Sequence, residues 1–287
     1  MLNRPPRVAA IHDLSGFGRC SLAVILPVLS AMGVQACPIP TAILSCHTGG
    51  FGPVELRDLT DYTMPALEHY RRLGLDFECI YSGFLSSADQ IDHCRAFIDA
   101  YPNALAVVDP VMGDHGKIYR TCGEDIRRGM RRLVSMAQVI TPNLTEAYLL
   151  LGKDYDHNPL TSGGAKSMLA RLSELGPGRV VITGVTLATG EYANIGYDRD
   201  HNAYWKASGD YVPAAYPGTG DIFASVLTGS FLMGDSLPMA MDRATRYTEL
   251  TIKTTFGFSS DPREGVMLER TLEWLTHREV PQRYRPL

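Results

Sequence analysis

The sequence has no apolar segment long enough to cross a membrane. Its longest apolar run, residues 22–29, has eight residues and contains Pro27. A membrane-spanning helix needs about 20 consecutive apolar residues. No recognisable signal peptide precedes the first apolar run, since residues 1–6 form a polar lead-in that contains prolines. We therefore expect a soluble, cytoplasmic protein.

The sequence also lacks an excess of basic charge and any paired cysteine motif. Its 27 Lys and Arg against 31 Asp and Glu give a formal net charge of −4, which excludes the basic surface typical of proteins that bind nucleic acid or acidic membranes. The six cysteines include no C-x-x-C pair, as expected in a reducing cytoplasm, and the eight histidines show no zinc-site spacing. Repeats and low-complexity linkers are absent too. We therefore expect one domain over residues 1–287, with a core at about 7–258.

What the sequence does contain is an alternation of short apolar runs with segments of helical length. The runs typical of buried strands are residues 8–11, 34–39, 77–82, 105–108, 139–141 and 180–183. The helical segments include residues 21–32, 88–101, 145–151 and 165–175. This alternation predicts an α/β fold with a mostly parallel sheet flanked by helices. Residues 192–197 and 203–207 have no helix between them and predict a hairpin at the sheet edge, and the last third is helical.

Polar residues stand where several of these predicted strands end. In an open parallel sheet, ligands bind outside the carboxyl ends of the strands. We therefore expect one crevice to contain the residues that follow or close a strand, namely Asp13, Asp109, Asn143, Thr183 and Gly184. Residues 40–53 are longer than a plain connection requires, and they predict a loop that serves a ligand.

Residues 216–232 combine a turn with the start of a helix. Gly218 and Gly220 free the backbone to turn, and apolar residues then recur at helical spacing from about Asp221 onward. A helix N-terminus leaves N–H groups without partners and favours an anion such as a phosphate. Asp221 has two interpretations: it caps the helix, or it accepts the proton of a hydroxyl that attacks a phosphoryl group held by those amides.

Carboxylates form two further groups. Asp109 and Asp114 bracket one short segment, and hard oxygen ligands of this kind suit Mg²⁺, although two such residues also serve in ordinary turns. Asn143 and Glu146 have the spacing of a capping box, in which Asn143 caps a helix that begins at the next residue.

The segment Gly218-Thr219-Gly220-Asp221, followed by a helix of small residues, resembles the anion hole and catalytic base of the ribokinase-like kinases. Other segments are similar to those of the pyridoxal kinases in that superfamily. Residues 7–13, 16–19 and 45–49 resemble their vitamin-pocket segments, and residues 109–114 and 141–146 resemble their metal and phosphate segments. The resemblance runs in order from about residue 8 to 256.

The resemblance implies a three-layer ribokinase-like fold and ATP-dependent phosphorylation of the 5′-hydroxyl of pyridoxal, pyridoxine or pyridoxamine. It implies Asp221 as the base and an anion hole at Gly218, Thr219 and Gly220. The implied substrate contacts are Asp13, His47, Thr48 and Phe84, and the implied nucleotide contacts are Asn143, Thr183, Gly184 and Lys117. The implied Mg²⁺ ligands are Asp109, Asp114 and Glu146. A monovalent cation such as K⁺ and a homodimer are further expectations.

Alternatives remain for single residues and for the activity. Phe84 is equally suited to the core, and Lys117 to the surface. Asp13 stands where pyridoxal kinases commonly have serine, which leaves the preferred substrate open. Hydroxymethylpyrimidine kinases of thiamine synthesis share the fold, but the residues after Ser15-Gly16 favour the pyridoxal branch. A non-catalytic vitamin or nucleotide sensor is the third alternative, against which the retained Asp221 argues.

Overall fold

A ten-stranded sheet runs through the computed structural model of the chain, which describes residues 3–277 and 282–287. Its strands are β1 (Arg7–Phe17), β2 (Gln35–Cys46), β3 (Leu56–Asp58), β4 (Cys79–Ser82), β5 (Leu105–Val108), β8 (Val139–Ile140), β9 (Arg179–Thr186), β10 (Tyr192–Asp198), β11 (Ala203–Ser208) and β12 (Arg285–Pro286). A separate two-stranded hairpin consists of β6 (Gly113–Asp114) and β7 (Lys117–Ile118). The order across the large sheet is β12-β11-β10-β9-β8-β5-β4-β1-β2-β3.

Helices cover both faces of the sheet. They are α1 (Leu22–Ala31), α2 (Thr60–Arg72), α3 (Ala88–Ala100), α4 (Glu124–Val134), α5 (Leu144–Leu150), α6 (Ser162–Ser173), α7 (Thr219–Leu232) and α8 (Leu237–Gly257), followed by three short 3₁₀ segments at Pro262–Glu264, Leu268–Arg270 and Leu272–Thr276. Side chains of α1, α7 and α8 form one core, and those of α2 to α6 form the other. None of the helices in the described part of the chain has the length and apolar composition that crossing a bilayer requires.

The alternation of side chains along β1 shows how the sheet separates the two cores. Ala9 and Ile11 belong to the core under α2 to α6, whereas Val8 and Ala10 belong to the core under α1, α7 and α8. The same period of two places His12 on the α7 side of the sheet.

Six neighbouring strands, from β9 through β8, β5, β4 and β1 to β2, are parallel. The predicted three-layer α/β fold with a mostly parallel sheet is therefore confirmed. The predicted hairpin of β10 and β11 is confirmed as well. The expectation that this hairpin forms the edge of the sheet is wrong, because β12 pairs with β11 and is the edge strand.

The prediction that residues 40–53 form one long loop is wrong for its first half. β2 continues to Cys46 because it pairs with β3, a strand of three exposed residues that local hydrophobicity does not indicate. β1 likewise extends to Phe17, beyond the four apolar residues from which it was predicted, with a register irregularity between His12 and Leu14. Both strands therefore carry the polar residues that follow their apolar runs.

Candidate active site

The N-terminus of α7 is open toward the carboxyl ends of the strands. Gly218 is the N-cap residue at φ 81°, and a Cβ there would lie 2.2 Å from the carbonyl oxygen of Arg19, so only glycine fits. The first intrahelical hydrogen bond runs from Ile222 N to Gly218 O, at 3.0 Å. The N–H groups of Thr219, Gly220 and Asp221 therefore have no acceptor within the helix, which is the arrangement that binds an anion. A Cβ at Gly220 would meet no atom within 4 Å.

Asp221 does not cap α7, because it lies three residues beyond the cap, in the first turn. Its carboxylate is 7% exposed and points toward β1 and the connection from β1 to α1. Oδ2 accepts a hydrogen bond of 2.7 Å from the N–H of Ser21, and the thiol of Cys20 lies 3.4 Å from the same oxygen. Oδ1 lies 3.1 Å from Nε2 of His12. The capping interpretation of Asp221 is therefore wrong, and its role as the base stays a prediction.

His12 lies between two carboxylates. Its Nδ1 is 2.8 Å from Oδ1 of Asp13, whose Oδ2 accepts a hydrogen bond of 3.0 Å from Ser15 Oγ. Burial lowers the pKa of His12, but the charge of Asp221 and the contact with Asp13 outweigh it and raise that pKa to about 10. Burial raises the pKa of Asp13, but the hydrogen bond from His12 outweighs this effect and lowers it. The site therefore contains an imidazolium between two carboxylates.

Reasoning from the sequence assigned no role to His12. The available signal was a histidine in phase with Val8 and Ala10 and next to an aspartate at a strand end. This pattern indicates a role for His12 in the site only when the position of Asp221 is known. The predicted substrate contact of Asp13 stays a prediction, and both oxygens of Asp13 already have partners within β1.

Two buried acids lie beyond β5 and β8: Asp109 directly follows β5, and Glu146 is in the first turn of α5. Asp109 is 7% exposed and Glu146 is 3% exposed. Burial, together with the charge of Asp221, raises the pKa of Asp109 to about 7. Burial and the charge of Asp109 raise the pKa of Glu146 well above its usual range. Because each negative charge disfavours the other in a dry environment, an added cation would stabilise both carboxylates.

Glu146 also belongs to the predicted capping box, which is present. Its Oε2 accepts a hydrogen bond of 2.9 Å from Asn143 N, and Asn143 Oδ1 accepts one of 3.0 Å from Glu146 N. Its Oε1 accepts a hydrogen bond of 3.1 Å from Met112 N. Both oxygens of Glu146 thus already hold backbone donors, which leaves Asp109 as the buried acid better placed to bind a cation directly.

Asp114 and Lys117 lie on the small hairpin of β6 and β7. His115 at φ 50° and Gly116 at φ 74° form its turn, and Gly116 N donates to Thr145 Oγ1 at 2.9 Å, which attaches the hairpin to α5. The side chain of Asp114 is 47% exposed and Lys117 is exposed. In the described residues, no three His, Cys, Asp or Glu side chains converge as a preformed metal site. The donor set of Asp109, Asp114 and Glu146 nevertheless fits Mg²⁺, which takes few protein ligands and keeps waters.

The predicted nucleotide residues at the ends of β8 and β9 are neighbours. Asn143 and Thr183 form an isolated parallel bridge, and Thr183 N donates to Pro142 O at 3.0 Å. Gly184 has a positive φ of 68°, and its N–H donates to Asn194 Oδ1 at 2.9 Å. The structure therefore brings Asn143, Thr183 and Gly184 together, and their contact with a nucleotide stays a prediction.

The predicted vitamin-pocket residues fall on the loop after β2 and the end of β4. His47 is buried, and its Nδ1 accepts a hydrogen bond from Gly49 N. Its Nε2 lies 2.6 Å from the carbonyl oxygen of Arg263, so the ring connects this loop to the first 3₁₀ segment. A Cβ at Gly49 would lie 3.6 Å from Pro217, which places the loop against the segment before α7. Thr48 is exposed there. Phe84, at the end of β4, is half-buried and lies outside both cores.

Known proteins resemble the chain over most of its length. The phosphomethylpyrimidine kinase family matches residues 26–263. A Bacteroides thetaiotaomicron protein provisionally described as a phosphomethylpyrimidine kinase, crystallised with pyridoxal, is 43% identical, with a TM-score of 0.94 over 99% of this chain and 100% of that one. Pyridoxal kinase from Lactobacillus plantarum is 31% identical, with a TM-score of 0.86 over 94% and 96% of the two chains. A pyridoxine/pyridoxal/pyridoxamine kinase from Bordetella avium is 29% identical and covers 84% of this chain and 82% of its own.

Proposed function

Because the chain belongs to the phosphomethylpyrimidine kinase family, and relatives within this fold are pyridoxal kinases, we propose that it phosphorylates the 5′-hydroxyl of pyridoxal, pyridoxine or pyridoxamine. The observation that carries this proposal is the position of Asp221, a buried carboxylate in the first turn of α7 beside three N–H groups that lack helical acceptors. A base next to an anion site is what phosphoryl transfer to an alcohol requires.

In the proposed reaction, the vitamin's hydroxyl oxygen attacks the γ-phosphorus of ATP. The new O–P bond forms as the bond from the γ-phosphorus to the β,γ-bridging oxygen breaks, ADP leaves, and the hydroxyl proton passes to Asp221. The N–H groups of Thr219, Gly220 and Asp221 stabilise the charge on the transferred group. Proximity and electrostatics supply most of the rate increase, since little covalent chemistry is left for the protein.

The remaining residues divide into substrate, nucleotide and cation contacts. Asn143, Thr183 and Gly184, which are adjacent at the ends of β8 and β9, support a nucleotide phosphate site, to which we add the exposed Lys117. Thr48 and Phe84 would contact the vitamin. Asp109, with Asp114 and Glu146, would hold Mg²⁺, which neutralises phosphate charge when it is bound. A role for K⁺, a homodimer and a cytoplasmic location stay predictions.

A hydroxymethylpyrimidine kinase is the second candidate, and the family description favours it. Both activities use one base and one anion site, so these parts of the structure do not separate them. The identity with a protein crystallised with pyridoxal, 43% over nearly the full length, supports the vitamin B6 reaction.

A direct competition between the two alcohols tests this function. Purified protein with ATP and Mg²⁺ is assayed for ADP release with pyridoxal, pyridoxine, pyridoxamine and hydroxymethylpyrimidine, each over a range of concentrations. We expect kcat/KM to be highest for a B6 vitamer, with pyridoxal 5′-phosphate formed in step with ADP when pyridoxal is the substrate. A higher kcat/KM for hydroxymethylpyrimidine would establish the second candidate, and no ADP release with any alcohol would contradict both.

A further inference from the structure

The ring of His12 is held in one place by the backbone around it. The side chain is 2% exposed, and a Cβ on Gly83 would lie 2.0 Å from Cδ2 of the ring. Gly83 directly follows β4, and its N–H donates to Ile11 O at 3.0 Å, so the space for the ring is part of the pairing between β4 and β1. A side chain at position 83 would displace the imidazole.

Both ring nitrogens of His12 face carboxylate oxygens. Nδ1 lies 2.8 Å from Asp13 Oδ1, and Nε2 lies 3.1 Å from Asp221 Oδ1. Nδ1 also lies 3.0 Å from the backbone N of Asp13, and Nε2 faces Asp221 in a close charged contact without hydrogen-bond geometry. The negative charge on both sides of the ring favours its doubly protonated form. Asp109, directly after β5, also interacts electrostatically with this ring, and the Cys20 thiol and Tyr81 hydroxyl lie in the field of Asp221. Two carboxylates therefore contact the ring, and a third acid acts on it from a distance.

The contact with His12 completes the support of Asp221. Ser21 N and the Cys20 thiol both donate to Oδ2 of the carboxylate, and donors on one oxygen alone leave the group free to rotate about its Cβ–Cγ bond. The second contact, from His12 to Oδ1, fixes the plane of the carboxylate. A base must be oriented toward its hydroxyl before phosphoryl transfer, and a small misplacement reduces the rate.

We propose that His12 is a positioning residue that orients the carboxylate of Asp221, and that Asp13 acts by anchoring His12 through Nδ1. This inference rests on the proposed role of Asp221 as the base. It assigns the aspartate at position 13 to the support of the base and not to the recognition of the vitamin ring.

Two amide substitutions separate the two contacts of the ring. The amide nitrogen of His12→Asn takes the place of Nδ1 and keeps a donor to Asp13 but none to Asp221. The amide nitrogen of His12→Gln takes the place of Nε2 and keeps the donor to Asp221. We expect His12→Asn to lower kcat by ~10²-fold with KM for ATP within two-fold of wild type. We expect kcat of His12→Gln to be about ten-fold above that of His12→Asn, because the Gln side chain keeps a donor that faces Asp221.

The matched control is His201→Gln, because His201 also contacts an aspartate, with Nδ1 3.0 Å from Asp198 Oδ2, and is exposed and outside the site. We expect wild-type kcat from this variant. Thermal unfolding of all variants identifies any that fail to fold. Equal losses in the folded Asn and Gln variants, or no loss, would overturn the proposal, because a ring that merely fills space has no preference between the two amides.

Spectroscopy of the wild-type protein provides a test that needs neither folded variants nor activity. Long-range ¹H–¹⁵N spectra should show one histidine with both nitrogens protonated at about pH 8.5, where an unperturbed imidazole is neutral. A protein with no such ring would contradict the proposal. The kinetic comparison uses whichever alcohol the wild type phosphorylates, so it remains a valid test of His12 even if the vitamin assignment is wrong. Inactivity of the wild type with every alcohol would contradict the proposed function and not the inference about His12.

Discussion

The carboxylates at the end of the sheet fall into two regions that differ in how their charge is compensated. On the α7 side, Asp13 and Asp221 face the imidazolium of His12 and further donors from Ser15 and Ser21. On the α5 side, Asp109 and Glu146 are equally buried, and in the described part of the chain no basic side chain forms a hydrogen bond or an ion pair with either one. The charge of His12 acts on Asp109 only from a distance and does not outweigh burial. The first region contains a cation in contact with both of its acids, and the second does not.

The difference indicates whether each region has its functional arrangement before or only after ligands bind. A base that is contacted on both carboxylate oxygens needs no ligand to be oriented, so the α7 side is organised in the free protein. The α5 side is under electrostatic repulsion, and its raised pKa values favour protonation until a cation arrives. We infer that binding of Mg²⁺ with ATP changes the α5 side far more than the α7 side.

The largest expected effect comes from removing the charge on the organised side. We expect Asp221→Asn to lower kcat by at least ~10²-fold, the amount typical of losing a general base, while ATP affinity stays within a few-fold. The amide retains an acceptor oxygen but cannot take up the proton. Steady-state kinetics with saturating ATP and Mg²⁺ provide the measurement.

A fold control accompanies this substitution, because the amide also leaves the charge of His12 less compensated. Circular dichroism and thermal unfolding should show a native fold. Wild-type turnover in a folded Asp221→Asn protein would show that the base is another group.

A smaller effect, on stability, should come from the uncompensated side. The pKa of Asp109 is raised to about 7 in the folded protein, whereas an unfolded aspartate titrates near 3.9. Between these values the folded state binds more protons than the unfolded state, so the free energy of unfolding falls as pH rises through this window. Mg²⁺ binds the ionised carboxylate, and we expect it to raise Tm more at about pH 7.5 than at about pH 5.

The Asp109→Asn variant removes the titrating group and keeps its size. We expect a shallower decline of Tm with pH and a smaller Mg²⁺ effect, by a few degrees, since ~1 kcal/mol corresponds to about 2–4 °C in a protein of this size. Asp125→Asn, an exposed acid on α4, is the control and should match the wild type. Identical Tm profiles for Asp109→Asn and the wild type, with and without Mg²⁺, would show that Asp109 binds no cation.

The sequence predicted those parts of the site that are determined by short-range structure. Glycines and helical spacing located the start of α7, and the spacing of Asn143 and Glu146 predicted their capping box, because cap contacts span three residues. The alternation of strands and helices predicted the sheet. The rule that ligands bind at the carboxyl ends of parallel strands predicted one crevice for Asn143 and Thr183, which are neighbours in the structure.

Contacts between distant parts of the chain were missed. β3 is short, exposed and stabilised by pairing with β2, so nothing in its own residues indicates a strand. The contact of His12 with Asp221 joins β1 to α7 on one face of the sheet, and neither local sequence contains information about the other. The sequence also did not show that the two groups of acids differ in how their charge is compensated. That difference depends on burial and on the distances between charges, which the spacing of residues along the chain does not determine.

The smallest expected effect concerns Asp13, whose two possible roles predict different results. If Asp13 acts only by anchoring His12, Asp13→Asn keeps an acceptor oxygen for Nδ1 and weakens the anchor by removing a charge. We then expect kcat to fall a few-fold, by the same factor for pyridoxal, pyridoxine and pyridoxamine. If the carboxylate instead faced the ring nitrogen of the vitamin, it would favour the pyridinium form, and its loss would change the ranking of the three vitamers and the pH dependence of kcat/KM. Steady-state assays of wild type and Asp13→Asn on all three vitamers between about pH 5.5 and 9 distinguish these outcomes, with KM for ATP as the internal control. A changed ranking at constant KM for ATP would assign Asp13 to the substrate and leave the orientation of Asp221 to His12 and Ser21.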